Sequence, residues 1–253
     1  MSRPAATLAA FVLHSHDWSE TSLIVELFTR ELGRVVVAAK GAKRPTSQLR
    51  PVLLPFQPLL VQLGKTPADA ANEVHLLRSA EWAGGAPMLP SAALFSGFYC
   101  NELLLKLLAR QDPHPALYAA YADTLGALAD AQHGDGPALR AFELLLLREL
   151  GLLPDLAVET LTVQPVAPQR RYTLQAEAGL VADAEGPRGE TWVALAAALE
   201  HDHPAALRAA CAPVAAVLRV PLRSLLHYHL GHTTLRTRQV MVDVQKLDPA
   251  RTP

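Results

Sequence analysis

Residues 21–39 read TSLIVELFTRELGRVVVAA. Two apolar runs, Thr21–Thr29 and Arg34–Ala39, flank a turn signal at Gly33. In the first, Leu23, Val25 and Leu27 fall on one alternation, and Ser22, Ile24 and Glu26 on the other. A period of two puts successive side chains on opposite faces, so the pattern predicts a strand with one face in a core and the other left for solvent or ligand. The second run is rich in β-branched residues, which suit strands. Outward from this pair, Leu8–His14 precedes it and Pro55–Leu63 and Glu73–Trp82 follow, making about five strands. Short strands with intervening turns predict a small barrel, because closure removes unpaired edges. A curved open sheet satisfies the same count.

From residue 91 the period changes. Ser91 can cap a helix over Ala92–Arg110, with Leu94, Phe98, Leu105 and Leu108 at helical spacing. Residues 115–129 form a second candidate, and Ala138–Leu150 a third, opened by Gly136-Pro137 and closed by Gly151. Its apolar residues nearly encircle it, which predicts a central, buried helix. Residues 158–183 lose the period; Thr160–Val163 and Arg171–Leu174 read as extended pieces of an inserted hairpin or irregular arm. Helices resume at Thr191–Glu200, Pro204–Cys211 and Pro213–Gly231, with Pro221 breaking or kinking the last, and a short one includes Val240–Val244. The expected class is α+β: an N-terminal barrel over residues 1–82 and a mainly helical domain over 83–253, with a small inserted extended arm at about 158–183.

The 253 residues, 50% of them hydrophobic, suffice for one large core or two modest ones. Two distant cysteines, Cys100 and Cys211, do not make a secreted disulfide framework and read as buried small hydrophobes. The N-terminus lacks the pattern of a signal peptide, and no run reaches eighteen apolar residues. A soluble cytoplasmic protein without a membrane partner is expected. The formal charge of −1 hides a segregation: net +3 over residues 1–80, −8 over 81–218 and +4 over 219–253. Such regional charge bears on partners more than the total does.

Catalytic signatures are missing. Ala39-Lys40-Gly41-Ala42-Lys43 has too few glycines for a phosphate loop, and no Gly-x-Ser-x-Gly elbow occurs. Seven of the ten histidines cluster, at His14/His16, His201/His203 and His227–His232, without metal-ligand spacing or a nearby cysteine. Acidic pairs such as Asp17/Glu20 and Glu143/Glu149 do not indicate a two-metal or hydrolase site. No catalytic residue, metal or cofactor is expected, and the chain is read as a non-enzyme.

The strongest feature without a structural explanation is the basic set Arg34, Lys40, Lys43, Arg44 and Arg50. From Arg30 to Arg50 six basic residues face one acidic residue. A basic segment between barrel strands can neutralise a polyphosphate backbone, largely without regard to sequence. A solubility-giving charge run is the competing reading. DNA binding requires these cations gathered on one exposed face and not tied to carboxylates. Single-strand binders often add aromatic stacking; Phe28 and Phe56 read as core, whereas Trp18, in a polar turn, is the better exposed candidate. A second basic set holds Arg219, Arg223, Arg236, Arg238 and Lys246.

Trp18–Ser22, Leu27–Gly33, Ala39–Arg44, Leu49-Arg50 and Leu54–Phe56, then Tyr99–Leu103, Arg140–Leu146, Leu150-Gly151 and Leu235–Arg238, occur in an order and spacing that resemble the bacterial RecO family of recombination mediators. The resemblance covers roughly residues 5–245. It implies an OB-fold barrel ahead of the helical domain. It implies a DNA-binding mediator that binds single- and double-stranded DNA, anneals strands, engages the C-terminal tail of the single-strand-binding protein SSB, and with RecR helps RecA load. The DNA candidates are then Arg34, Lys40, Lys43, Arg44, Arg50, Arg236 and Arg238, with Arg140 at the rim of an SSB-tail pocket. Some family members carry a four-cysteine zinc element after the Leu-Gly segment. Here residues 150–160 contain no cysteine, so the arm is expected to hold by ordinary packing. The alternative is a non-catalytic interaction scaffold with incidental DNA affinity; a nucleic-acid enzyme comes third.

Overall fold

A computed structural model of the chain describes residues 6–64, 74–85, 87–130, 134–201, 203–231, 235–237, 239, 240 and 243. The chain forms two compact units, Met1–Ala129 with Thr237–Pro253, and Asp130–Arg236.

In the first unit, β1 (Thr7–Asp17), β2 (Leu23–Thr29), β3 (Gly33–Ala39), β4 (Leu59–Leu63) and β5 (Val74–Trp82) close a barrel in the order β1-β2-β3-β5-β4. Pairings are antiparallel except β3 on β5. The alternation read from the sequence faces inward: Leu8, Ala10, Val12, Val25, Leu27, Val35, Val37, Leu59, Val61 and Leu77 form one buried cluster. Closure, rather than an open curved sheet, leaves that cluster no exposed edge.

The outer face of β1 and β2 is covered by helices. Phe11 and Phe28 meet the rings of Tyr118 and Tyr121 at 5.0–6.2 Å between centroids. Both tyrosines lie on α2 (Pro115–Ala129). Asn101 of α1 (Ser91–Leu107) donates from Nδ2 to the Leu13 carbonyl at 3.0 Å and accepts from the Tyr121 hydroxyl. Burial holds the Tyr121 hydroxyl proton well above its ordinary range. This packing joins α1 and α2 to the barrel. The first compact unit therefore extends to Ala129, beyond residue 82, where the sequence reading ends the barrel domain, and the chain rejoins it at Thr237. There the Thr237 amide and hydroxyl both donate to Glu102 of α1, at 2.9 and 2.6 Å.

Two helix details differ from the sequence reading. The cap of α1 is Pro90 in extended backbone, and Ser91 is already helical. The buried face of α1 runs through Ala93, Gly97, Cys100 and Leu104, leaving Phe98 exposed. Gly97 decides this: a Cβ there would lie 2.7 Å from Leu89 Cδ1 and 2.9 Å from Phe56 Cε1. Small residues let the helix approach closely, so the apolar count overstated the role of the large ones.

In the second unit, α3 (Gly136–Glu149) is buried along most of its circumference, from Ala138 to Leu147, and Gly151 follows it at φ +67°. The inserted arm consists of two small antiparallel pairs, β6 (Val158–Glu159) with β7 (Gln164–Pro165) and β8 (Tyr172–Gln175) with β9 (Gly179–Ala182). Thr160–Val163, expected as extended, is instead the turn joining β6 to β7, with Val163 at φ +55°. The Thr160 hydroxyl accepts from the Leu180 amide at 2.9 Å, a tertiary bond that overrides local strand preference. The arm packs through Tyr172, Leu174 and Leu180, with the Trp192 indole of α4 (Gly189–Glu200) donating to the Tyr172 carbonyl at 3.1 Å.

The helical stretch Pro204–Leu230 joins α5 (Pro204–Cys211), a 3₁₀ turn and α6 (Ala215–Leu230), and α6 continues through Pro221. By length and apolar composition it could cross a membrane. One side of α5 and α6 packs on α3, burying Leu207, Cys211, Leu218, Leu222, Leu225 and Leu226, while much of the remaining apolar surface, Val217 and Val220 included, is exposed.

Candidate nucleic-acid interface

The register of one hairpin builds the site. Leu23 pairs with Ala39 at one end of β2–β3, and Thr29 with Gly33 at the other. The turn before β2 and the loop after β3 therefore emerge side by side. Two bonds stitch them together: the Gly41 amide donates to Ser22 Oγ at 3.3 Å, and the Lys43 amide to the Thr21 carbonyl at 2.9 Å. Gly41 adopts φ +72°, which side chains disfavour. Ala42 then turns inward as part of the barrel core, fully buried. An apolar plug at 42 thus anchors a loop whose neighbours are cationic.

Between the two segments lies a groove of about 410 Å³, lined by Trp18, Ser19, Thr21, Ser22, Lys40, Gly41 and Arg44. Trp18 is 57% exposed. The Arg44 side chain lies across Gly41, its Cδ 3.6 Å from where a Cβ would stand. Among the described residues, neither Lys40 nor Arg44 is ion-paired with a carboxylate, and both are exposed.

The remaining sequence candidates separate. Lys43 reaches Asp17 Oδ2 at 2.8 Å and the Ser19 carbonyl at 3.2 Å, tying the loop to the opposite turn. Arg50 is exposed, farther along the loop and not part of the groove lining. Arg34 lies at the far end of β3. Six residues of strand, at about 3.3 Å each, put it roughly 20 Å from Lys40. Its guanidinium is largely buried, pairing with Glu26 at 3.2 Å and donating from Nε to the Leu108 carbonyl at 3.1 Å. Arg110 meets the other oxygen of Glu26 at 3.2 Å. This is a clamp between the barrel and the α1–α2 connection. The five cations are therefore not gathered on one unpaired face: Lys40 and Arg44 share the groove without a carboxylate partner, Arg50 is exposed outside its lining, and Arg34 and Lys43 are ion-paired.

In the second unit Arg236 is exposed, while Arg238 lies outside the described residues. Arg140 is buried, its side chain 8% exposed, and paired with Glu143 at 2.6 Å. A pocket rim needs an exposed guanidinium, and Arg140 presents none. It borders Cys211, whose thiol burial pushes up to about 12, Glu143 adding and Arg140 opposing. That cysteine is an inert core residue. Among the described residues no group of three or more His, Cys, Asp or Glu could hold a metal.

Trp18 belongs to the groove although charge patterning alone does not select it; an indole between Asp17 and Ser19 in a polar turn is the readable signal. The role of Asp17 as the Lys43 partner follows only from the register, which sequence spacing does not disclose.

Residues 1–84 match the family model of the recombination protein O N-terminal domain, and residues 91–239 that of the recombination protein O C-terminal domain. The chain is 53% identical over 246 residues to a DNA repair protein RecO of Verminephrobacter eiseniae, covering 94% of this chain and 96% of the relative. It is 52% identical to those of Acidovorax ebreus and Variovorax paradoxus, covering 97% and 94% of this chain and 99% and 96% of the relatives. A closed five-stranded barrel under the first model, a mainly helical region under the second and near full-length identity above one half place the chain in the recombination protein O (RecO) family of DNA repair proteins.

Proposed function

We propose that this protein is a non-catalytic DNA-binding mediator of recombinational repair, acting in the cytoplasm, that holds DNA through the groove at the β1–β2 and β3–β4 end of its barrel. The observation that carries the reading is the pairing of two exposed cations without carboxylate partners, Lys40 and Arg44, with the exposed Trp18 indole. Cations fixed on a barrel end neutralise phosphates and release counterions, which supplies affinity for any sequence. Strands so neutralised repel one another less, which favours annealing. No bond is broken, so no nucleophile or metal is required.

The family resemblance further supports engagement of the SSB C-terminal tail, cooperation with RecR and, through it, loading of RecA. An acidic, apolar tail suits a basic, apolar surface. On α6 the exposed Val217 and Val220 flank the exposed Arg219, and this face replaces the buried Arg140 as the better candidate.

The test is a salt titration of single- and double-stranded DNA binding, paired with annealing of SSB-coated strands. The Lys40→Glu, Arg44→Glu protein is expected to bind both forms about ten- to a hundred-fold more weakly, with a shallower salt slope. Unchanged affinity and slope would favour the interaction-scaffold alternative.

A further inference from the structure

A DNA duplex turns its phosphates and sugars outward and keeps its bases stacked within. Two cations are enough to meet such a surface. The groove offers more. Its lining combines Trp18, over half exposed, with Lys40 and Arg44. Ser19, Thr21 and Ser22 complete the lining with Gly41. Among the described residues no aromatic ring stacks on Trp18. An exposed indole with no ring partner gains from a π-face of similar size, and an unpaired base supplies one whatever its identity. The groove, about 410 Å³, lies within the range of sites for compact ligands. Asp17, next to Trp18 in sequence, is paired with Lys43 at 2.8 Å, and no acidic residue is in the lining.

We infer that this groove is a subsite for one unpaired nucleotide of a DNA strand, in which the base stacks on Trp18 while its phosphate lies against Lys40 and Arg44. The inference rests on the DNA-binding reading above and adds the preference for unpaired strands. The stack requires a base free of its neighbours, so duplex DNA engages the cations alone. The wall of the groove is firm because Gly41, Ala42 and Lys43 are fastened to the barrel and to the Thr21–Ser22 segment.

The experiment uses the full chain and three probes of equal length: oligo(dT), a strand of the same backbone without bases, and a duplex. Trp18→Ala is expected to weaken oligo(dT) binding about ten-fold or more and Trp18→Phe only a few-fold. Both should leave the abasic strand and the duplex within two-fold of wild type, with unchanged salt slopes. Trp18→Phe keeps the test informative should the alanine protein fold poorly. An unaltered affinity of Trp18→Ala for oligo(dT), or an equal loss on all three probes, would overturn the stacking subsite. The Lys40→Glu, Arg44→Glu protein is the separate control: it should lose all three probes together, and its failure to do so would sink the DNA-binding reading itself.

Discussion

The two ends of the β2–β3 hairpin use the same kind of residue in opposite ways. At the Thr29–Gly33 end, Arg34 is sunk beside Glu26, with Arg110 on the other carboxylate oxygen. At the Leu23–Ala39 end, Lys40 and Arg44 stand exposed around Gly41. Arginine at the first end fastens a barrel to its helices; Lys40 and Arg44 at the second have no carboxylate partner among the described residues. Charge counted along a sequence merges the two. What separates them is whether a carboxylate waits across the strand, and that is a property of register.

Breaking the first end should cost the most. Gly33 has φ +68°, and a Cβ there would stand 1.9 Å from the Asp112 carbonyl oxygen. Gly33→Ala is expected to destabilise by about 4 kcal/mol, through strain and overpacking of backbone on backbone. Thermal unfolding should show a fall on the order of 10 °C. Arg34→Ala leaves Glu26 with half its compensation and the Leu108 carbonyl without this donor. A loss of about 3 kcal/mol in urea unfolding is expected, with DNA affinity of the folded protein unchanged. An Arg34→Ala protein that stays fully folded yet binds DNA weakly would erase the distinction between the two ends.

At the second end the signs reverse. Arg44→Ala should leave the unfolding midpoint within about 0.5 kcal/mol while weakening DNA binding several-fold, on the order of 1 kcal/mol per phosphate contact. Asp17→Asn sharpens the contrast most finely. It releases Lys43 from its ion pair, exposed enough to be worth under about 1 kcal/mol to the fold. A third unpaired cation then joins the groove. Two- to five-fold tighter DNA binding is expected, with the salt slope steeper by about one for duplex. Weaker binding would show that the Lys43 tether, rather than the charge it neutralises, is what the site needs.

The barrel strands are legible in sequence because each has one face committed to a core, and burial writes a period of two. The central burial of α3 is legible for the same reason. Thr160–Val163 is not, since its β-branched residues advertise a strand while the Thr160 hydroxyl is engaged by Leu180, twenty residues on. Nor is the face of α1, where Gly97 and Ala93 matter through what they lack. In the groove, Lys40 and Arg44 stand out as charges in a loop. Arg34 stands out equally and misleads: Glu26 is diagonal to it across the hairpin, and Leu108 is 74 residues away. Local pattern reports burial well and partnership poorly.

The parallel pairing of β3 with β5 has a consequence for how the molecule comes into being. Val36 meets Val74, and Thr7 meets Gln62, so closure joins segments distant along the chain. Such non-local topology folds slowly. On the ribosome, the meander of the first three strands emerges with both flanks bare; β4 can cover β1, but the flank of β3 stays bare until the fifth strand has been synthesised. Until then the chain offers naked backbone to any passing strand, a hazard that the finished barrel abolishes. A fragment ending before Val74 would carry that hazard permanently, whatever charges its basic loop displays.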